Sequence, residues 1–248
     1  MAKLNVLDAF AGAGGFSLGF ELSGCNIIGA IEQDEWACET FAFNHPKAQV
    51  IKSDIAKLTD NKIKSIFTET PPHIILGGPP CQGFSICNKN NNDPKDPRNS
   101  LFEEFIRLGK ILKPKLMVME NVPNLIKART TSKECVIDII SSELESIGYH
   151  VYFKILEATD YGIPQIRKRL FVVASKSKIS IPFPKVTHTI FNGQLSLFEK
   201  SLTVTDLGEP HESLQVRRKL TGFVTSNHGT FFRSIVQPDS VVRRVFLP

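Results

Sequence analysis

The sequence lacks any apolar run long enough to span a membrane, and its first residues lack the apolar core of a secretory signal peptide. Cysteine pairs of the CxxC type are also missing. The five cysteines, an odd number, are scattered: Cys25, Cys38, Cys81, Cys87 and Cys135. These absences argue against a zinc site of clustered cysteines and against a disulfide framework. We therefore expect a cytoplasmic protein that has no structural metal and no membrane anchor.

A strong imbalance of charge is absent as well. The formal net charge is +5 at pH 7, which is compatible with a polyanionic partner but does not require one. Hydrophobic residues make up 42% of the sequence and charged residues 22%, and both fractions are ordinary for globular proteins. A chain of 248 residues is long enough for one α/β domain, alone or with an extension.

A glycine-rich turn near the N-terminus favours a nucleotide site. A β-rich run at residues 3–8 leads into Gly12, Gly14 and Gly15 and then into an apolar helix, and the next strand ends in Glu32. An acid at that position can accept hydrogen bonds from both ribose hydroxyls of an adenosine-containing cofactor. The spacing departs from Gly-x-Gly-x-x-Gly and suits a nucleoside without a pyrophosphate. Plain turn glycines and a surface glutamate are the alternative.

Two further strand ends carry side chains of interest. Asp54 follows the third strand, where it either binds the amino group of an adenine or caps the helix after it. Cys81 follows a buried apolar strand and a rigid turn made of two glycines and two prolines. This placement favours a nucleophile over a small apolar residue in a tight turn.

Polar side chains also lie at the ends of later strands. Glu120 follows the apolar residues 116–119, and Arg167 and Arg169 come just before the strand at 170–174. Because parallel strands present ligands at their carboxyl ends, we expect these groups, Cys81 and the glycine turn to converge. His45 precedes a proline and is expected to be a turn residue, not a catalyst.

Strand and helix patterns alternate along most of the chain. They predict an α/β fold with a doubly wound, mostly parallel sheet, closed at one edge by an antiparallel hairpin at residues 149–174. We assign residues 1–175 to a catalytic and cofactor-binding domain, and residues 176–248 to an extension in which the pattern becomes irregular. The entirely polar segment 88–99 is either a mobile lid over the site or a disordered insertion, and we favour the lid.

Four segments, in this order and spacing, resemble the cytosine-C5 DNA methyltransferase family. They are DAFAGAGGF at 8–16, PPCQ at 79–82, ENV at 120–122 and QIRKR at 165–169. The resemblance covers residues 4 to about 174. It implies the fold of S-adenosylmethionine-dependent methyltransferases and methyl transfer from that cofactor to C5 of a cytosine flipped out of double-stranded DNA.

The resemblance also implies roles for individual residues. Cys81 is the nucleophile that attacks cytosine C6, and Glu120 faces cytosine N3. Arg167 holds cytosine O2, and Arg169 steadies the same site. The implied cofactor contacts are Phe10, Gly12, Gly14, Gly15, Glu32, Asp54, Pro80 and Leu101.

Two closing motifs of the family have no counterpart in the sequence. This departure resembles the alpha chain of the two-chain, AquI-type methyltransferases of restriction-modification systems. It implies a heterodimer in which a second chain supplies the target-recognition region and the closing motifs, and we expect bare apolar surface beside residues 4–7 and 16–22. Two alternatives stay open: an RNA cytosine-C5 methyltransferase on the same fold, and a truncated fragment that binds cofactor or nucleic acid without turnover.

Overall fold

Seven strands form one sheet in the computed structural model, which describes residues 3–80, 101–130, 133–180 and 182–188. The strands are β1 (Asn5–Ala9), β2 (Asn26–Glu32), β3 (Gln49–Lys52), β4 (Ile74–Gly77), β5 (Leu116–Asn121), β6 (His150–Glu157) and β7 (Lys168–Ser175). Their order across the sheet is β3-β2-β1-β4-β5-β7-β6. The chain therefore winds outward from β1 in both directions, as a doubly wound sheet does.

The first five strands are parallel to one another, and β7 alone runs antiparallel to them, because β6 is in turn antiparallel to β7. β6 and β7 form the predicted hairpin, and β7 lies inside the sheet between β5 and β6. Glu120 of β5 pairs with Phe171 of β7, two residues after Arg169. The antiparallel register thus brings the beginning of β7 to the end of β5. The predicted fold class is confirmed.

Helices cover both faces of the sheet. They are α1 (Gly15–Leu22), α2 (Glu35–Asn44), α3 (Asp60–Ile66), α4 (Leu101–Leu112) and α5 (Val136–Ser146), with short 3₁₀ helices at Ile55–Lys57, Pro123–Lys127 and Ala158–Tyr161. Phe20 and Phe41, from α1 and α2, share one hydrophobic cluster with alternate strand residues. Ile63, Phe105 and Ile140, from the other helices, share the second cluster with the intervening strand residues. Successive strand side chains point to opposite faces, which explains why residues 74–76 of β4 and residues 116–119 of β5 are apolar at every position.

Three details differ from the sequence-based expectation. β5 extends to Asn121, so Glu120 belongs to the strand itself. The helix expected after Asp54 is divided into the 3₁₀ helix Ile55–Lys57 and the seven-residue α3, which has only two apolar residues and is stabilised by its Thr59 cap and by burial of Ile63. Of the apolar surface expected to be bare beside β1 and α1, Leu7 and Phe20 are buried, whereas Leu22 is 47% exposed.

Candidate functional site

The turn between β1 and α1 adopts an unusual backbone. Phe10, Gly12 and Gly14 all have positive φ, at 56°, 54° and 89°. This conformation is nearly free of strain for glycine and is costly for phenylalanine. The amide of Phe10 donates to the carbonyl of Ile31 over 2.9 Å, which ties the turn to the end of β2. The two strand ends are thereby fixed against one another.

Glu32, the last residue of β2, is held by three backbone amides. Its Oε2 accepts from the Gly12 amide at 2.8 Å, and its Oε1 accepts from the amides of Gln33 and Asp34 at 2.7 and 3.0 Å. A carboxylate fixed by three donors has one orientation and still has lone pairs for further donors. This side chain is therefore positioned in advance for a ligand.

The end of α2 supports the glycine turn from behind. His45 is buried, and its Nε2 lies 3.1 Å from the Gly14 carbonyl oxygen while its Nδ1 lies 2.9 Å from a Glu21 carboxylate oxygen. The Asn44 side chain donates to the Ala13 carbonyl at 3.0 Å. A Cβ atom on Gly14 would come within 2.7 Å of the His45 ring. His45 is thus a structural residue at a turn, as expected. Its contact with the Gly14 carbonyl was not predicted from the sequence.

A second unforeseen feature is a buried acid under the same turn. Asp8 is 1% exposed, and its Oδ2 accepts a 2.7 Å hydrogen bond from the Ser17 hydroxyl. Burial raises the pKa of Asp8 to about 7, and the Ser17 hydrogen bonds only partly offset that effect. The only sequence signal was an acid that ends an apolar strand next to a glycine turn.

A cleft of about 560 Å³ opens beside the turn, along the carboxyl ends of the strands. Its lining includes five of the predicted cofactor contacts: Phe10, Glu32, Asp54, Pro80 and Leu101. Gly12 borders the cleft through its bond to Glu32, whereas Gly14 faces His45 and Gly15 begins α1. The volume falls in the range of small-molecule sites.

Both roles considered for Asp54 are compatible with its position. Its Oδ1 accepts from the Ala56 amide at 3.0 Å, so it caps the 3₁₀ helix that follows. The same residue lines the cleft, as Glu32 does. Capping occupies one carboxylate oxygen and holds the other in a defined direction.

Glu120 and the two predicted arginines form one cluster. The Arg169 Nε lies 2.8 Å from Glu120 Oε1, and the Arg167 Nη2 lies 3.7 Å from the same oxygen. Burial raises the pKa of Glu120 above its ordinary value, although both arginines act to lower it. The carboxyl group therefore takes up a proton more readily than an exposed glutamate, while its orientation is fixed by a cation.

This cluster adjoins the chain that leads to Cys81. The Asn121 side-chain amide is buried and donates to the Pro79 carbonyl at 3.0 Å. A Cβ atom placed on Gly78 would lie 3.8 Å from Glu120 Oε2. Cys81 itself and the expected lid at 88–99 lie outside the described residues. The structure therefore brings Glu120, Arg167 and Arg169 together near Gly78 and Pro79, which precede Cys81 in the chain.

The described part of the chain contains no cluster of metal-ligating side chains and no membrane-spanning helix. No group of three or more His, Cys, Asp or Glu side chains there could hold a metal ion. None of the helices in the described ranges has the length and apolar character needed to cross a membrane.

The fold is that of an α/β methyltransferase. It matches a solved structure from E. coli, described as a candidate DNA modification methyltransferase encoded in a prophage, with a TM-score of 0.62 and 34% sequence identity. The match covers 72% of this chain and 49% of that one. The chain belongs to the C-5 cytosine-specific DNA methylase family, whose model matches residues 4–240. That match extends beyond residue 174, where the resemblance of the motifs ended.

Two relatives show how much of such proteins this chain represents. The chain is 48% identical over 174 residues to the Type II methyltransferase M.DdeI of Desulfomicrobium norvegicum, covering 70% of this chain and 41% of that protein. It is 34% identical over 219 residues to the Type II methyltransferase M.AquIA of a Picosynechococcus species, covering 85% and 86%. The chain thus spans less than half of M.DdeI but most of M.AquIA.

Proposed function

We propose that this chain is the catalytic part of a Type II DNA cytosine-C5 methyltransferase. It transfers a methyl group from S-adenosylmethionine to C5 of a cytosine flipped out of double-stranded DNA. The observation that carries the proposal is the Glu120 carboxyl. Arg169 holds it at 2.8 Å, and it lies near Gly78, three residues before Cys81. Membership in the C-5 cytosine-specific family supports it.

The chemistry explains why these residue types are needed. Cytosine C5 is a poor nucleophile until a thiolate adds to C6, forming an S–C6 bond and turning C5 into the carbon of an enamine. Cys81 supplies the thiolate in this proposal. The Glu120 carboxyl, whose pKa is raised by burial, donates a proton or hydrogen bond to N3 as the thiolate adds. Arg169 holds Glu120 in place, and Arg167 binds cytosine O2.

The cleft suits the cofactor assigned to it. When bound, S-adenosylmethionine supplies an electrophilic methyl group. Glu32, fixed by three amides, accepts the ribose hydroxyls, and Asp54 accepts the adenine amino group. Phe10, Pro80 and Leu101 provide apolar walls for the adenine ring.

We further propose that target recognition comes from a second chain. The support is that this chain covers 86% of M.AquIA but only 41% of M.DdeI. In this proposal the partner completes the cofactor cleft and reads the DNA sequence, so the chain alone transfers little or no methyl. Size-exclusion chromatography and methylation assays of the purified chain, with and without a candidate second chain, test it. Full sequence-specific activity of a stable monomer would rule out the second chain.

Covalent trapping tests the catalytic proposal. With cofactor present, the active enzyme should form a stable adduct on duplex DNA containing 5-fluorocytosine, because the fluorine cannot leave as a proton does. Cys81→Ser should abolish the adduct and methyl transfer, since a hydroxyl is far less nucleophilic than a thiolate. Cys135→Ser, which changes another free cysteine, is the matched control and should keep both. An adduct on transfer RNA but none on duplex DNA would favour the RNA enzyme instead.

A further inference from the structure

The guanidinium of Arg107 joins three elements beside the cofactor cleft. Arg107 lies on α4, and its Nε donates to Glu104 Oε2 at 2.7 Å. Its Nη1 donates to the Leu58 carbonyl at 3.1 Å and to Asp60 Oδ1 at 2.7 Å. Its Nη2 donates to the Ile55 carbonyl at 2.8 Å. Two backbone carbonyls and two carboxylates therefore converge on a side chain that is 24% exposed.

The segment that Arg107 holds is one wall of the cleft. Asp54, Ile55 and Ala56 line the cleft, and Arg107 binds the carbonyls of Ile55 and Leu58 at the two ends of the 3₁₀ helix Ile55–Lys57. This segment follows β3, a four-residue strand at the edge of the sheet that pairs only with β2. An edge strand this short gives the segment little support of its own.

A second wall of the cleft belongs to the helix that carries Arg107. Leu101 and Glu104, from the first turn of α4, also line the cleft. Because Arg107 pairs with Glu104 and with the Ile55 carbonyl, one side chain fixes the distance between the two walls. Arg107 itself is not among the residues that line the cleft.

Only arginine can make this set of contacts. Its planar guanidinium presents five N–H donors in a fixed fork, whereas lysine presents a single point of charge. Without the fork, the part-buried carbonyls of Ile55 and Leu58 lose the guanidinium donor, and two carboxylates lose their cation.

We propose that Arg107 is a positioning residue for S-adenosylmethionine: it holds the Asp54 segment against α4, so cofactor affinity depends on a side chain that does not touch the cofactor. This inference rests on the assignment of the cleft to S-adenosylmethionine in the proposed function.

Calorimetric titration of S-adenosylmethionine tests this role on the full chain, with its second chain where the enzyme has one. Arg107→Gln should weaken binding by about tenfold or more, and Arg107→Lys by less, because lysine keeps the charge but not the fork. Lys110→Gln is the matched control: it breaks the Lys110–Glu143 ion pair of α4, at 2.8 Å, on the side of α5, and should leave affinity unchanged.

Hydrogen exchange without cofactor gives an independent measurement. The amides of Ala56, Lys57 and Leu58, which bond within the held segment, should exchange faster in Arg107→Gln and Arg107→Lys than in Lys110→Gln. Faster exchange with unchanged affinity for S-adenosylmethionine would overturn the proposal and leave Arg107 a purely structural residue. Failure of the wild type to bind S-adenosylmethionine would instead overturn the assignment of the cleft, and this inference with it.

Discussion

The amide of Gly12 and the carboxylate of Glu32 are 20 residues apart in the chain and 2.8 Å apart in space. That hydrogen bond connects the turn after β1 to the end of β2, two strands that pair in parallel. Because Gln33 and Asp34 bind the second carboxylate oxygen, Glu32 serves both as a support for two turns and as an acceptor facing the cleft.

We predict that Glu32→Ala weakens S-adenosylmethionine binding by about 1.5–3 kcal/mol, which is typical for a hydrogen bond to a charged group. Glu32→Gln should also weaken it, because one amide N–H₂ would then meet backbone donors. Calorimetry measures both variants, and Glu39→Gln on the exposed face of α2 is the control. If the two Glu32 variants and the Glu39→Gln control all bound the cofactor as tightly as the wild type, the cofactor would have to bind elsewhere.

The parts of the site that could be predicted are those with a fixed relation to the strand order. A strand, a glycine turn and an acid at the next strand end place Gly12 and Glu32 together without any knowledge of side-chain packing. Glu120 follows from the same rule, because it was expected at the carboxyl end of a parallel strand. The same rule predicts the position of Cys81, which lies outside the described residues. The position of β7, by contrast, depends on a hairpin insertion that hydrophobic patterns do not specify.

The unforeseen residues act through contacts between distant segments. His45 binds a carbonyl 31 residues earlier, and Arg107 reaches carbonyls 49 and 52 residues earlier. In the sequence, His45 is a histidine before a proline, and Arg107 is a charged residue on an amphipathic helix. Both patterns usually mark a turn and a solvated face, so only tertiary packing distinguishes these two residues from others of their kind.

The Glu120–Arg169 pair predicts a pH effect on methyl transfer. If the protonated carboxyl of Glu120 acts on N3, the rate should fall as pH rises through the pKa of this group. Arg169 acts to lower that pKa, so Arg169→Gln should raise it further and move the fall in rate to higher pH. Lys168→Gln, which removes the neighbouring charge paired with Glu157, should leave the pH at which the rate falls unchanged.

Glu120→Gln should slow methyl transfer about 10²–10⁴-fold and remove the fall in rate at high pH.

Single-turnover rates from about pH 5 to about pH 9 measure these profiles. A fall at the same pH in wild type and Arg169→Gln would mean that the titrating group is not Glu120.

We predict that Asn121 fixes the position of Pro79, two residues before Cys81. It is 5% exposed, donates to the Pro79 carbonyl, and accepts from the Val122 amide at 2.8 Å. Asn121→Ala removes both bonds and should lower the free energy of unfolding by about 1–3 kcal/mol and slow methyl transfer. Asn121→Asp should slow it further, because a carboxylate would face the Pro79 carbonyl.

The control for Asn121 is Asn26→Ala, which removes a side-chain bond to Asn5 at the opposite end of the sheet. This variant should lower the free energy of unfolding without changing the single-turnover rate. Equal slowing by both alanine variants would mean that the Asn121 effect is one of stability alone.

Asp8, the buried acid beneath the glycine turn, is predicted to make the stability of the protein depend on pH. The folded protein holds a proton on Asp8 up to about pH 7, whereas the unfolded chain loses it near the ordinary value of 3.8. The contribution of Asp8 to stability is therefore complete below the lower pKa and is lost as pH rises through the higher one. Between about pH 5 and about pH 8 the free energy of unfolding should therefore fall by roughly 3 kcal/mol, since each pH unit below the pKa of the folded state is worth 1.36 kcal/mol.

Asp8→Asn cannot ionise, and its side-chain oxygen can still accept the Ser17 hydroxyl, so this loss of stability should disappear. Denaturant unfolding of wild type and variant at the two pH values measures the difference. Asp138→Asn, which changes an exposed acid in the first turn of α5, should keep the wild-type decline. If Asp8→Asn declined as steeply as the wild type, the pH dependence would have to come from another group, and Asp8 would be ionised in the folded protein throughout this range.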